Sequence, residues 1–164
     1  MIFNPKNFNL ETLGDHISTL PLLFYYGIFF KYLGSKKEID LKFFILFIIV
    51  SLITDILKRL PYPKFMYQIT RRPKGASNCD MLSKGGHKPW GTPGFPSGHM
   101  TTITFFSLFL INNYNLNLHQ KQLIYLLIPL TAWARLYKKC HNLFQVIGGF
   151  LNGYILYLMS KRLK

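Results

Sequence analysis

The chain is short of acid. Its 164 residues include 6 Asp and Glu against 20 Lys and Arg, a formal net charge of +14 that internal pairing cannot balance. It has only two cysteines, Cys79 and Cys140, which make neither a metal spacing nor a disulfide framework. Buried free thiols are the simpler expectation for them. There is no internal repeat and no low-complexity stretch, which excludes solenoids and disordered linkers. Period-2 alternation is missing too, so nothing marks a half-buried sheet.

What is present is apolar and comes in blocks, at 17–33, 41–57, 100–114, 122–137 and 146–159. Each is roughly long enough to cross a hydrocarbon layer of about 30 Å, with tilting or local thinning for the shorter ones. A single such block reads equally well as a buried core helix. Five in so small a chain leave no polar faces to cover them. The expectation is an all-α integral membrane bundle of about five transmembrane helices, forming one domain over 1–164. The stretch before the first block is not basic and no small-residue cleavage site follows, so that block should stay in the mature protein. Residues 1–16 carry Phe3, Phe8, Leu10 and Leu13 among polar residues, and read as a short interfacial helix or as a loose terminus.

In a soluble protein the basic excess would point to nucleic acid. Here the cations lie between apolar blocks, so the expected partners are the bilayer and phosphorylated lipids, not nucleic acid. The first stretch is net acidic and the loop 34–40 net basic. The positive-inside rule puts 34–40 and the tail cations Lys161, Arg162 and Lys164 in the cytosol. The opposite ends of the spans then face the lumenal or extracytoplasmic side.

Chemistry-bearing residues gather at those opposite ends. Gly94-Phe95-Pro96-Ser97-Gly98-His99 runs directly into the third block, with Ser97 placed as a helix N-cap. Unpaired N–H groups and the positive end of a helix dipole make such a start an anion seat. Gly98 has no Cβ, so an anion can approach closely, and His99 can donate or accept a proton. The second block ends in Asp55 and Lys58, three apart and hence on one helix face. The loop 62–95 follows, long enough to be a lid or substrate-facing surface, with Arg71-Arg72-Pro73, His87 and Trp90 in it. Tyr62 and Trp90 are candidates for an interfacial entrance. Arg135 closes the fourth block and His141 precedes the fifth. With five spans, Lys58, Arg71, Arg72, Ser97, His99, Arg135 and His141 all fall on one face. His16, His87 and His119 form no metal pattern.

These stretches resemble the type 2 phosphatidic acid phosphatase superfamily, which joins membrane lipid phosphatases to the vanadium haloperoxidases. The family pattern is a lysine, a short gap and Arg-Pro; then Pro-Ser-Gly-His; then Ser-Arg, five residues, His, three residues and Asp. The chain has Lys58 or Lys64 before Arg72-Pro73, then Pro96-Ser97-Gly98-His99, then Ala134-Arg135, His141 and Gln145. The resemblance implies a phosphatase acting on a lipid phosphate or diphosphate, without a metal or other cofactor. His141 would attack phosphorus to form a phosphohistidine, and His99 would protonate the leaving oxygen and later activate water. A lysine, Arg72, Arg135, the Ser97 hydroxyl and the Gly98 N–H would hold the phosphoryl oxygens.

The chain departs from the pattern in three places. Of the two lysines, Lys58 has the longer gap but is favoured by its Asp55 neighbour; Lys64 is seven before Arg71, with the Pro one residue late. Ala134 replaces the serine and removes one phosphate contact. Gln145 replaces the aspartate; its carbonyl can still fix the His141 tautomer but brings no negative charge, so a slower enzyme is expected. The rivals are an inactive lipid-phosphate-binding or transport protein and a vanadate-dependent peroxidase. If Cys79 and Cys140 pair in an oxidising compartment, they tie the loop to His141.

Overall fold

The computed structural model describes residues 9–76, 79 and 91–163. They form α1 (Leu10–Ser35), α2 (Glu38–Arg59), the short α3 (Tyr67–Thr70), α4 (Gly98–Asn113), α5 (Leu118–Tyr137) and α6 (Leu143–Ser160), with no strand among them. A 3₁₀ turn at Lys64–Met66 leads into α3. The five long helices coincide with the five apolar blocks. Among the described residues α6 alone meets the length and apolarity of a membrane-crossing helix.

Helix ends follow local chemistry. The Asn9 side chain accepts from the Thr12 N–H at 2.8 Å and starts α1. Of the segment 1–16 read as an interfacial helix or a loose terminus, the part from Leu10 onward is continuous with α1, and residues 1–8 lie outside the described residues. Two further helices begin with reciprocal capping boxes, Asn117 with Gln120 for α5 and Asn142 with Gln145 for α6. Ser97 does hold the N-cap position of α4, but its hydroxyl makes no capping bond.

α4 is the central helix, buried along most of its length and packed most closely on α6. The close approach comes from glycine. A Cβ on Gly149 would lie 2.5 Å from the Ser97 carbonyl oxygen, and one on Gly153 2.5 Å from that of Thr101. With no side chain at either position, one turn apart on α6, the backbones can touch. Thr101 Oγ1 then donates to the Gly149 carbonyl at 3.1 Å. On its other side α4 meets α2 through stacked rings, Phe43 against Phe109 at 4.4 Å between centroids.

The two ends of the bundle differ in chemistry. At one, the fully buried Asp40 carboxylate accepts from Ser35 and Tyr114 and pairs with Lys31 at 3.2 Å, closing the α1–α2 turn on the end of α4. The other collects the cations and imidazoles. Gly153→Ala should lower stability by about 1–3 kcal/mol through overpacking, because the atom it meets is backbone and cannot rotate away. A detergent thermal melt reads this as a fall of several degrees; an unchanged melt would contradict the close α4–α6 contact.

Candidate functional site

Arg72 reaches the site on a short backbone strap. The Arg72 N–H donates to the Thr92 carbonyl at 2.9 Å, Gly91 donates to the Arg72 carbonyl at 3.1 Å, and Gly94 donates to Thr70 at 2.8 Å. Residues 70–73 and 91–95 therefore run side by side, and the second leads into the Ser97 cap. Gly94 is required here because a Cβ would sit 2.8 Å from Gln145 Oε1 and 3.0 Å from the Arg72 side chain. The middle of the loop, including His87 and Trp90, lies outside the described residues.

His141 sits in the turn between α5 and α6, only 2% exposed. Its Nδ1 lies 2.9 Å from Gln145 Oε1, so Nδ1–H donates and Nε2 keeps its lone pair. Arg72 Nη1 stands 3.4 Å from that Nε2 and donates to the Cys140 carbonyl at 3.1 Å. The amide group of Gln145 has a second task. Its Nε2 donates to the Ile69 carbonyl at 2.9 Å and to the Arg71 carbonyl at 2.7 Å. One side chain thus orients His141 and anchors the strap that carries Arg72.

The start of α4 completes the cluster. A Cβ on Gly98 would meet Lys58 Nζ at 2.9 Å, and Lys58 is paired with Asp55 at 2.8 Å. Of the two candidate lysines, Lys58 reaches the helix start, while Lys64 is exposed in the 3₁₀ turn. The N–H groups of Gly98, His99 and Met100 have no carbonyl four residues back within the helix. The Ser97 hydroxyl is buried without a hydrogen-bond partner among the described residues, as a group awaiting an anion would be.

One contributor was missed by sequence reasoning: Ser18 on α1, whose carbonyl lies 2.9 Å from His99 Nε2 and whose hydroxyl accepts from Arg135 Nη1 at 2.8 Å. This leaves His99 Nδ1 as the nitrogen available for proton exchange, and puts a hydroxyl beside Arg135 where Ala134 supplies none. Only a lone Ser inside an apolar block, near Pro21, marked the position. Cys79 and Cys140 form a disulfide, the alternative that the sequence reading placed behind free thiols. The Cys140 carbonyl accepts from Arg72, and the Cys79 carbonyl from Arg135 at 2.6 Å. The cross-link therefore joins the backbone supports of both arginines. Their separation in sequence gave no spacing signal.

Burial, reinforced by the Arg72 and Arg135 guanidiniums and by His99, holds the His141 imidazole well below the usual histidine range. It is neutral at pH 7, as a nucleophilic nitrogen must be.

A helix N-terminus, three cations and two imidazoles at one end of a bundle that is helical throughout its described residues have the chemistry to hold a phosphoryl group, as a phosphatase needs. The sequence model of the PAP2 superfamily matches residues 40–164, and the chain belongs to that superfamily. Its members are generally membrane proteins. The match begins after α1, so Ser18 lies outside it. No curated protein and no solved structure matches the chain.

Two outcomes follow from Gln145 and the charges around His141. In a histidine-labelled NMR titration, the His141 signal, assigned by its loss in His141→Ala, should have a midpoint below about 6.5, the ordinary histidine value. Arg72→Gln removes a cation and should move that midpoint upward; a downward shift or none would contradict the electrostatic account. Gln145→Asp should cost about 10-fold or more in kcat/KM despite adding a negative charge, because a carboxylate cannot donate to the Ile69 and Arg71 carbonyls. Equal or faster phosphate release would mean the strap does not need those bonds.

Proposed function

We propose that the chain hydrolyses a lipid phosphate or lipid diphosphate through a phosphohistidine, in a multi-pass membrane bundle whose site opens on the lumenal or extracytoplasmic side. The observation that carries this reading is His141, with Nδ1 held by Gln145 and Nε2 directed at the Arg72 guanidinium. A phosphoryl group bound by Lys58, Arg72, Arg135, the Ser97 hydroxyl and the Gly98 N–H would sit against that lone pair. Nε2 forms the bond to phosphorus, and the bond to the lipid oxygen breaks. His99, charged by proximity to the substrate anion, passes a proton from Nδ1 to the leaving oxygen. His99 then takes a proton from water, which attacks phosphorus and frees His141. The positive charge for the equatorial oxygens comes from side chains, so no metal or other cofactor is assigned a step.

Two features support the membrane setting. Outward-facing stripes such as Ile45, Ile49, Leu52 and Ile56 on α2 are 41–61% exposed, apolar surface that water would penalise. The Cys79–Cys140 disulfide beside the site fits an oxidising compartment, which agrees with the charge bias of the loops.

Phosphate release from phosphatidate, phosphatidylglycerophosphate and prenyl diphosphates, in detergent with chelator, tests the reading. Wild type should turn over at least one of them, and His141→Ala and His99→Ala should each lose about 10³-fold or more. Arg72→Lys and Arg135→Lys should each lose about 10²-fold, since lysine cannot form the planar fork. If wild type and His141→Ala release phosphate equally poorly, the chain is a lipid-phosphate binder or transporter. Halide oxidation in the presence of vanadate would favour the peroxidase rival.

A further inference from the structure

α1 meets the site at two successive turns. At the first, Asp15 pairs with Lys138 just after α5, and both side chains are mostly buried. At the second stands Ser18, only 3% exposed. Inside a helix a serine can turn its hydroxyl back on its own backbone, and here that group donates to the Gly14 carbonyl at 2.7 Å. Its one proton is spent within α1, so the oxygen faces the site as an acceptor.

Arg135 uses that acceptor. Its Nη1 carries two hydrogens, one donated to the Ser18 hydroxyl at 2.8 Å and the other to the Cys79 carbonyl at 2.6 Å. Two acceptors on one nitrogen fix the plane of a guanidinium that is fully buried, and both are neutral, so neither cancels its charge. A carboxylate in place of the hydroxyl would hold the arginine as firmly but would oppose the anion it has to bind. The backbone of the same residue serves the other group. The Ser18 carbonyl accepts from His99 Nε2 at 2.9 Å, which the second lone pair of a helical carbonyl allows without opening the helix.

We propose that Ser18 is a positioning residue of the phosphate site, setting the His99 ring and the Arg135 guanidinium relative to each other from one point on α1. This rests on the phosphatase reading above and adds to it a residue outside the superfamily match, which begins at residue 40. The site then has two supports of one kind. Gln145 joins His141 to the segment carrying Arg72, and Ser18 joins His99 to Arg135. Each ties one imidazole to one phosphate-holding cation, so the nucleophile and the leaving-group acid are both registered against the phosphoryl group. Ser18 acts through these two side chains and touches no reacting atom.

Ser18→Ala removes the hydroxyl and keeps the carbonyl, so the two arms separate. In calorimetry, which needs no turnover, the variant should bind inorganic phosphate about 10-fold more weakly than wild type, as losing a hydrogen bond to a charged group does. In detergent assays kcat/KM should fall by a similar factor on phosphatidate and on p-nitrophenyl phosphate alike, because the phosphoryl group is common to both. A loss confined to one ester would overturn the proposal. Isotope-labelled histidine NMR at about pH 8, without phosphate, reads the other arm, with the His99 signals assigned by their loss in His99→Ala. They should show the Nε2–H tautomer both in wild type and in Ser18→Ala. If Ser18 served only to dock α1, the variant would lose that tautomer preference, and this result would count against positioning. So would unchanged phosphate binding, or an Nδ1–H tautomer in wild type. The expected binding loss and tautomer in a chain that releases no phosphate would sustain the positioning role and remove the catalytic reading.

Discussion

The site depends on one amide. Gln145 accepts from His141 with its oxygen and donates with its nitrogen to two carbonyls of the segment that carries Arg72. Because the same group faces both ways, the imidazole and the guanidinium are set relative to each other, not merely brought to the same region. The capping box at the start of α6 fixes the backbone of Gln145, and the absence of a side chain at Gly94 leaves it room. An aspartate in its place would add charge near the imidazole but would face those carbonyls with acceptors only. The change from the family pattern is therefore accompanied by a change in what the position holds together.

Concentrating cations at one end of a bundle raises their mutual repulsion, and the structure offsets this with rigid neutral supports. Arg72 and Arg135 donate to the carbonyls of Cys140 and Cys79, the two residues joined by the disulfide. Ser18 serves His99 and Arg135 at once from α1, a helix that precedes the superfamily match. Lys138 is likewise paired with Asp15 of α1. The first helix is thus bound to the site by three of its contacts with α4, α5 and the turn after α5. Carbonyl dipoles hold Arg72 and Arg135 in position, and two carboxylates, Asp55 and Asp15, hold Lys58 and Lys138.

The sequence by itself determined the helices and the local chemistry at their ends. Apolar blocks bounded by Gly, Pro and Asn became α1, α2, α4, α5 and α6, because burial and capping are decided within a few turns. The Asp55–Lys58 pair and the Gln145–His141 bond were legible for the same reason, since three- and four-residue spacings share a helix face. Even there the reading was partial. Ser97 marks the start of α4, yet its hydroxyl does not cap.

Only the tertiary structure decided what crosses from one helix to another. The Cys79–Cys140 bond spans 61 positions, the His99–Ser18 contact 81 and the Arg135–Ser18 bond 117. No periodicity encodes such distances. They follow from how closely α4 and α6 approach at Gly149 and Gly153, and from where that approach puts the turn that holds His141. The sequence favoured Lys58 over Lys64 only through its Asp55 neighbour; it is the packing of α2 against α4 that brings Lys58 to Gly98.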